Sequence, residues 1–152
     1  MKRILPLVIA AFIAGPALTQ NTDKTDEITV FSQATETDLS QFVWKKRPIV
    51  VFADNAADPR FREQIELLNA SLADLEERDV IVLTDTDPAA QSELRLKLRP
   101  RGFMLVILGK DGGVKLRKPF PWDVREISRT IDKMPLRKRE LREQKREAIN
   151  DR

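Results

Sequence analysis

The sequence contains no cysteine and no histidine among its 152 residues. Without cysteine the chain has no disulfide, no thiol nucleophile, no thiolate metal ligand and no redox dithiol. Without histidine it lacks the commonest general base and zinc ligand, and a serine–histidine triad is impossible. Carboxylates, lysines, arginines and hydroxyls remain, and they show no nucleophile–base pattern. We therefore predict no catalytic residues, no cofactor and a fold held by its core alone.

Long apolar runs are also scarce, and the one present lies at the start of the chain. Residues 1–3 carry positive charge, residues 4–14 are apolar and uncharged, and residues 15–20 are small or turn-forming. This is the layout of a secretory signal peptide, and the run is short for a membrane span. We expect cleavage near Ala17 to Thr19 and a periplasmic or secreted protein with no membrane span thereafter. An uncleaved anchor or a buried helix is the alternative.

The formal net charge of +3 is unevenly distributed. Lys2 and Arg3 would leave with the signal, so the mature chain would carry +1 (3 − 2). Residues 20–132 hold 17 basic and 20 acidic side chains, whereas residues 133–152 hold 8 basic and 4 acidic ones. The cationic character thus belongs to the C-terminal tail, and an exported protein has little occasion to meet nucleic acid. We expect no nucleic-acid partner.

Strand signals recur along the rest of the chain. The predicted strands are apolar or β-branched runs at residues 28–31, 48–52, 80–83 and 103–108, followed by a half-exposed strand at 114–118. In the last strand Val114 and Leu116 alternate with cations, which predicts one apolar and one cationic face.

Helix signals lie between these runs. Predicted starts are Asp38, Asp58–Pro59, Asp87–Pro88 and Pro121; the second helix runs for five turns to near Arg78, and Pro100 stops the third. The side chains predicted to face the core are Phe61, Ile65, Leu68, Leu72, Leu75, Leu94, Leu98, Val124, Ile127 and Ile131.

The order of elements predicts an α/β fold. Two parallel strands, a crossover, a C-terminal β-hairpin and a closing helix describe a thioredoxin-like three-layer sandwich with a mixed sheet. A truncated doubly wound fold is the alternative. We predict a signal peptide at 1–19, a flexible leader with a candidate first strand at 20–36, one domain at 37–135 and a charged helical tail at 136–152 that is solvated. We expect a monomer.

Two positions become informative when the chain is aligned with a thioredoxin pattern. The slot of the redox Cys-Gly-Pro-Cys motif falls on Ala57-Asp58-Pro59-Arg60, so the proline is present and both cysteines are missing. Met104 stands where the cis-proline would be. The scaffold resembles thioredoxin, whereas the residues that carry thioredoxin chemistry are absent.

A closer resemblance rests on short segments spread over residues 42–141. These are RPIVVFA (47–53), DP (58–59), ERDV (77–80), LGKDGGVKLR (108–117) and IDKMPLRKREL (131–141). They resemble the domain of unknown function 4174 family, which includes bacterial exported proteins and is related to a domain of animal sushi-repeat and matrix proteins. The resemblance implies a thioredoxin-like domain without catalytic cysteines, and it implies no established activity.

The glycine-rich segment at 109–113 raises the question of a phosphate-binding loop. Such a loop needs lysine and then Ser or Thr after its last glycine, at the start of a helix. Here lysine follows the first glycine and a strand comes next, so we predict a hairpin turn in which Asp111, Gly112 and Gly113 supply the positive φ angles. The cationic strand that follows is a candidate binding surface for an anion or an acidic partner.

The remaining candidates each have a plain structural interpretation. Asp58 and Pro59 suit a helix start, with Arg60 pairing to Asp54 or Asp58; alternatively this edge, with Met104 and Trp44 nearby, binds a peptide or ligand. We predict no metal site at Asp85, Asp87 and Asp111, because aspartate is expected in turns and no calcium-loop pattern is present. Residues 76–79 are predicted to form a solvated turn.

The sequence therefore predicts an exported, non-catalytic interaction module that binds an unknown protein of the cell envelope. The candidate binding residues are Asp58, Arg60, Met104, Lys110, Lys115 and Arg117. Two alternatives stay open: an enzyme that uses Asp58, Arg60 or Lys110, and an anion or envelope-surface binder that acts through the basic strand and tail.

Overall fold

A computed structural model describes residues 31–33 and 38–151. The strands are β1 (Phe31–Gln33), β2 (Arg47–Phe52), β3 (Val80–Asp85), β4 (Met104–Leu108) and β5 (Val114–Lys118). The helices are α1 (Pro59–Asn69), α2 (Leu72–Glu76), α3 (Glu93–Leu98), α4 (Val124–Asp132) and α5 (Pro135–Asn150), with short 3-10 turns at Leu39–Phe42 and Pro88–Ala90. The predicted signal peptide and most of the leader lie outside the described residues, as do residues 28–30 of the candidate first strand.

The five strands form one mixed sheet in the order β1-β3-β2-β4-β5. β1 and β2 both pair parallel with β3, whereas β4 pairs antiparallel with β2 and β5 antiparallel with β4. This is the predicted mixed sheet with a C-terminal hairpin, and the doubly wound alternative is wrong because the second half of the sheet is antiparallel.

The sheet is covered on both faces, which gives three layers. Successive side chains of a strand point to opposite faces, so Ile49 and Val51 pack on one side of β2 and Val50 and Phe52 on the other. The first side is covered by α1, α2 and α4, and the second by α3 and the 3-10 turn that contains Leu39. All six residues of β2 are buried, as expected for the central strand.

The predicted five-turn helix is two helices. α1 ends at Asn69, and α2 begins after Ser71, whose φ of −136° leaves the helical region. Leu68 and Leu75 are fully buried as predicted, whereas Leu72 is exposed because the break turns it away from the core. The spacing of the leucines fits a continuous helix equally well, so the break is invisible in the apolar pattern.

The helix predicted after β3 is also interrupted. Asp87 and Pro88 begin only a 3-10 turn, and Gln91 then takes a left-handed conformation with φ 45°. Ser92 starts α3 afresh by accepting a hydrogen bond from the N–H of Arg95. Leu94 and Leu98 face the core as predicted.

The segment at 109–113 forms the predicted hairpin turn between β4 and β5. Gly109 N–H donates to Gly113 O at 2.9 Å, and Gly112 N–H donates to Gly109 O at 3.0 Å. Gly112 has a positive φ of 77°, where any side chain would be strained. Asp111 and Gly113 do not share that conformation, so one residue, not three, uses the left-handed region.

The two C-terminal helices meet at a proline. α4 begins after Asp123, which accepts from the N–H of Arg125 at 2.7 Å, so Pro121 precedes the helix and does not open it as predicted. Pro135 occupies the first turn of α5, where its missing N–H costs nothing. Among the described residues no helix is long and apolar enough to cross a membrane.

Candidate functional site

An exposed tryptophan forms one wall of a groove of about 310 Å³ at the end of the sheet where β2 begins. We call it the Trp44 groove. The β4–β5 turn and the junction of α4 and α5 complete it. Its apolar lining consists of Trp44, Met134, Pro135 and Leu136, and its polar side chains are Arg47, Lys110, Asp111, Lys115 and Arg139.

Trp44 is unusual in both its backbone and its exposure. It follows the 3-10 turn with φ 64°, a left-handed conformation that glycine and asparagine tolerate and that a bulky side chain disfavours. Its N–H donates to Lys110 O at 2.7 Å, which holds the backbone in place. The side chain is nevertheless 67% exposed. The packing of the domain therefore gives no reason for tryptophan at this position.

The cations of the groove differ in how they are paired. Lys115 lies 2.8 Å from Asp111, which also accepts from the N–H of Gly113 at 3.0 Å. The hydrogen bond from Lys115 lowers the pKa of Asp111. Arg139 is exposed and forms no ion pair with another residue of the described part of the chain. Among the described residues, Asp111 is the only one with an acidic side chain that lines the groove, and it is already paired with Lys115.

Behind the groove a buried ion network fixes its floor. Arg47 is 1% exposed and donates to both carboxylate oxygens of Glu140, each at 2.9 Å. Lys110 Nζ lies 2.8 Å from Glu140 Oε1 and 2.7 Å from Asp79 Oδ2. Burial raises the pKa of Glu140, but the hydrogen bonds from Lys110 and Arg47 outweigh burial and hold it below its ordinary value. The two segments GKDGG and MPLRKREL are joined through this carboxylate.

Arg137 extends the network to the α2–β3 turn. Arg137 is 1% exposed. Its guanidinium lies 3.3 Å from the carboxylate of Glu77 and 3.6 Å from those of Asp132 and Glu140. Its Nε has no hydrogen-bond partner among the described residues. Arg78 pairs with Asp132 at 2.9 Å. Residues 77–79 form a turn after α2 as predicted, and Glu76 and Glu77 are exposed, but Arg78 and Asp79 are half-buried and paired, so the turn is only partly solvated.

The tail prediction needs a related correction. A solvated helix was expected from residue 136, but Arg137 and Glu140 pack against the body of the domain, and only residues 141–151 are exposed throughout. Met134 seals the edge of the core as predicted.

A larger groove, of about 400 Å³, lies between α1–α2 and α4. Its charged lining residues are mixed in sign: Asp74, Arg78, Asp123, Arg125, Arg129 and Asp132. Arg78 and Asp132 pair with each other, and within the part of the chain that the structure describes no aromatic side chain lines this groove. This groove is larger than the Trp44 groove, but its described side chains offer no distinctive recognition group. We therefore regard the Trp44 groove as the better candidate site.

Three of the predicted binding residues lie at the other end of the sheet. Asp58 caps α1 by accepting a hydrogen bond from the N–H of Arg60 at 2.9 Å, and it pairs with the guanidinium of Arg60 at 3.0 Å. The side-chain hydrogen bond from that guanidinium lowers the pKa of Asp58. Arg60 also lies over the ring of Phe103, 5.7 Å from its centroid. Met104 opens β4 opposite Phe52. Trp44 does not lie near these residues, which corrects the expectation that it would.

The other three predicted binding residues, all cations, make different contacts. Lys110 and Lys115 meet in the Trp44 groove, whereas Arg117 donates to the carbonyl of Leu98 and lies 3.8 Å from the sulfur of Met104. Lys115 and Arg117 are both exposed on β5, but only Lys115 lines the groove.

The three aspartates considered as metal ligands do not come together. Asp85 is buried at the end of β3, where it accepts from Ser92 and from Arg95 at 2.9 Å. Burial raises the pKa of Asp85, but the bonds from Arg95 and Ser92 lower it below its ordinary value. Asp87 caps the adjoining turn, whereas Asp111 lies at the opposite end of the sheet.

Fold and chemistry together define a class: a thioredoxin-like domain that has no thiol. The fold is similar to that of thioredoxin peroxidase I from Plasmodium yoelii, with TM-score 0.50, 19% identity and coverage of 63% of this chain and 76% of that chain. It is also similar to the reduced 2-Cys peroxiredoxin of Plasmodium vivax, with TM-score 0.53, 16% identity and coverage of 63% and 81%. At these identities the likeness establishes the fold alone, which confirms the thioredoxin-like prediction.

The chain belongs to the family called Domain of unknown function (DUF4174), whose profile matches residues 38–140. The predicted family is therefore confirmed. A relative, coiled-coil domain-containing protein 80 from Danio rerio, is 29% identical over 133 residues, which are 68% of this chain and 15% of that protein. The chain thus spans a small part of the length of that relative. Because it contains no cysteine, it cannot perform the thiol chemistry of a peroxiredoxin.

Proposed function

We propose that this chain is an exported, non-catalytic binding module and that a protein partner binds in the Trp44 groove. The observation that carries the proposal is an exposed tryptophan on a backbone that suits glycine, in one groove with an exposed arginine that forms no ion pair within the described part of the chain. Tryptophan and arginine are the side chains most enriched among residues that dominate binding energy at protein interfaces. Export is proposed from the signal-like residues 1–19, and N-terminal sequencing of the mature chain tests it.

The conformation of Trp44 supports a binding role. Left-handed residues at the end of a helical turn are usually glycine or asparagine, since a large side chain adds strain there. Trp44 carries that strain and also exposes most of an indole ring to water. A partner that covers the indole would account for both features.

The rigidity of the floor supports it as well. A binding site is most effective when its supporting side chains are fixed before the ligand arrives. Arg47 and Lys110 are fixed by Glu140, and the turn that carries Lys110 also holds the backbone of Trp44. The groove therefore needs little ordering when it binds.

Site-specific photocrosslinking in the producing cell tests the proposal. In one variant a photoreactive p-benzoylphenylalanine replaces Trp44, and in the matched control it replaces Leu96. Leu96 lies on α3, is 60% exposed and does not line the groove. We expect a discrete protein adduct from position 44 that is absent from position 96. Arg139→Glu should weaken the adduct, whereas Arg125→Glu should not. Equal adducts from both positions, or no adduct from position 44, would contradict the proposal.

A further inference from the structure

The polar chemistry of the Trp44 groove is almost entirely that of hydrogen-bond donors. Lysine and arginine side chains donate and never accept, and the indole N–H of tryptophan is likewise a donor only. The one carboxylate in the lining, Asp111, already accepts from Lys115 and from the N–H of Gly113. A matching ligand must therefore bring acceptors, and carboxylates are the strongest acceptors that a protein offers.

This donor-only lining disfavours a carbohydrate. Each sugar hydroxyl is both a donor and an acceptor, so a site for sugar needs free acceptor groups to receive those protons. In the Trp44 groove the described residues offer one side-chain acceptor, Asp111, and each of its oxygens already accepts one hydrogen bond, so few acceptor sites remain for sugar hydroxyls. An indole wall is often compatible with a sugar ring, but the polar groups around Trp44 are not.

The apolar residues of the lining favour a ligand that also carries an apolar group. Met134, Pro135 and Leu136 line the groove opposite polar side chains, and methionine adapts its shape to different partners. The volume of about 310 Å³ lies at the lower end of the range for ligand sites, which suits one or two side chains. A concave site of this size favours an inserted side chain over the flat surface of a bilayer.

We infer that the Trp44 groove binds an acidic segment of a partner protein in which carboxylates flank one large apolar side chain. The carboxylates lie toward Arg139 and Lys115, and the apolar side chain packs against Trp44 and Met134. This inference rests on the proposed function, since it names the chemistry of the ligand at the same site.

Peptide titration tests the ligand class. The acidic probe is the acetylated, amidated peptide Asp-Glu-Leu-Phe-Glu-Asp; the neutral probe replaces each acid by its amide, and a third probe replaces Leu-Phe by Gly-Ser. Indole fluorescence reports binding at position 44 when Trp122→Phe removes the second tryptophan, and calorimetry on the unaltered chain checks the result. Vesicles of phosphatidylglycerol and phosphatidylcholine are the lipid probe.

We expect the acidic probe to bind at least about tenfold more tightly than either control peptide at low salt, and the difference to shrink as salt screens the charges. Arg139→Gln should weaken binding severalfold, whereas Arg125→Gln should leave it unchanged. Equal binding of the neutral peptide, tighter binding of the vesicles, or no saturable binding of the acidic probe would overturn the ligand class. If Trp44→Asn weakens binding of whichever peptide is preferred, the proposed function stands; if it weakens binding of none of the peptides, or if the vesicles bind more tightly than every peptide, the proposed function fails too.

Discussion

Arg47 and Glu140 join the first residue of the central strand to the second turn of the last helix through two hydrogen bonds of 2.9 Å, across 93 positions of the chain. Both oxygens of the carboxylate accept from the same Arg47 nitrogen, and Lys110 adds a third contact from the hairpin turn. Two separated segments of the sequence, GKDGG and MPLRKREL, thus meet at one half-buried carboxylate, which ties the start of α5 to the sheet.

Removing that carboxylate should be strongly destabilising. In Glu140→Ala the buried guanidinium of Arg47 loses its charged partner, and loss of one member of a buried pair costs about 3–5 kcal/mol. Chemical denaturation measures the free energy of unfolding, with Glu143→Ala on the exposed part of α5 as the control, expected within about 0.5 kcal/mol of wild type. Equal effects of the two substitutions would show that the network contributes little.

Two truncations should divide the tail into a structural and a dispensable part. Ending the chain after Arg142 retains Arg137 and Glu140, and the described residues that it removes, 143–151, are all exposed, so the melting temperature should change by less than about 2 °C. Ending it after Lys138 removes Glu140, and the melting temperature should fall by more than about 10 °C. Similar melting of both truncated chains would contradict the packing of α5.

The network should make stability depend on pH in the acid range. The pKa of Glu140 is lowered in the folded chain from its ordinary 4.5, so its contribution is complete above that value and is lost as pH falls through the folded pKa. The gap in unfolding free energy between wild type and Glu140→Gln should be largest at neutral pH and narrow below about pH 4.5. Denaturation at several pH values measures the gap. A gap that does not change with pH would show that the Glu140 charge is not responsible.

Substitutions at Trp44 should separate backbone strain from side-chain packing. Asparagine tolerates φ 64°, so Trp44→Asn should stay within about 1 kcal/mol of wild type despite the loss of a large aromatic ring. Valine is β-branched and disfavours this conformation, so Trp44→Val should be about 1–2 kcal/mol less stable than Trp44→Asn. Thermal unfolding compares them. Equal stability of the two would remove the argument from backbone strain.

Peroxide consumption should be absent. The segment that aligns with the thioredoxin redox motif holds a capped helix start, in which Asp58 accepts hydrogen bonds from Arg60, and the chain has no thiol. A peroxidase assay with an external reductant should therefore run at the rate of buffer. Turnover that exceeds the buffer rate and is abolished by Asp58→Asn would contradict the non-catalytic proposal.

Local patterns in the sequence predicted the framework of the fold. Continuous β-branched runs identified β2 and β3, and the spacing of Val124, Ile127 and Ile131 gave the buried face of α4, because burial imposes these periods directly. The helix breaks at Ser71 and Gln91 were missed because backbone dihedrals at polar positions leave no trace in the apolar pattern.

Only part of the candidate site could be predicted from the sequence. Lys110 and Lys115 were predicted as binding residues, but Trp44 was assigned to the wrong end of the sheet, and Arg139 was placed within a solvated tail. Both errors arise from long-range pairing: Trp44 reaches the groove through a backbone bond to Lys110, and α5 is brought there by Glu140. The charge pattern of this helix does not show which of its acids will pack against the domain. Glu140 follows three consecutive cations and precedes Leu141, and this is a weak signal.

The most direct test of the account is the affinity of the crosslinked partner, once purified, for three forms of this chain. The first is wild type, the second carries Trp44→Asn with Arg139→Gln, and the third carries Asp58→Asn with Arg60→Gln at the opposite end of the sheet. Calorimetry should show at least about a tenfold loss of affinity for the groove variant and an unchanged affinity for the third form. Loss of binding by the third form with full binding by the groove variant would show that the partner uses the other end of the sheet and would contradict the account.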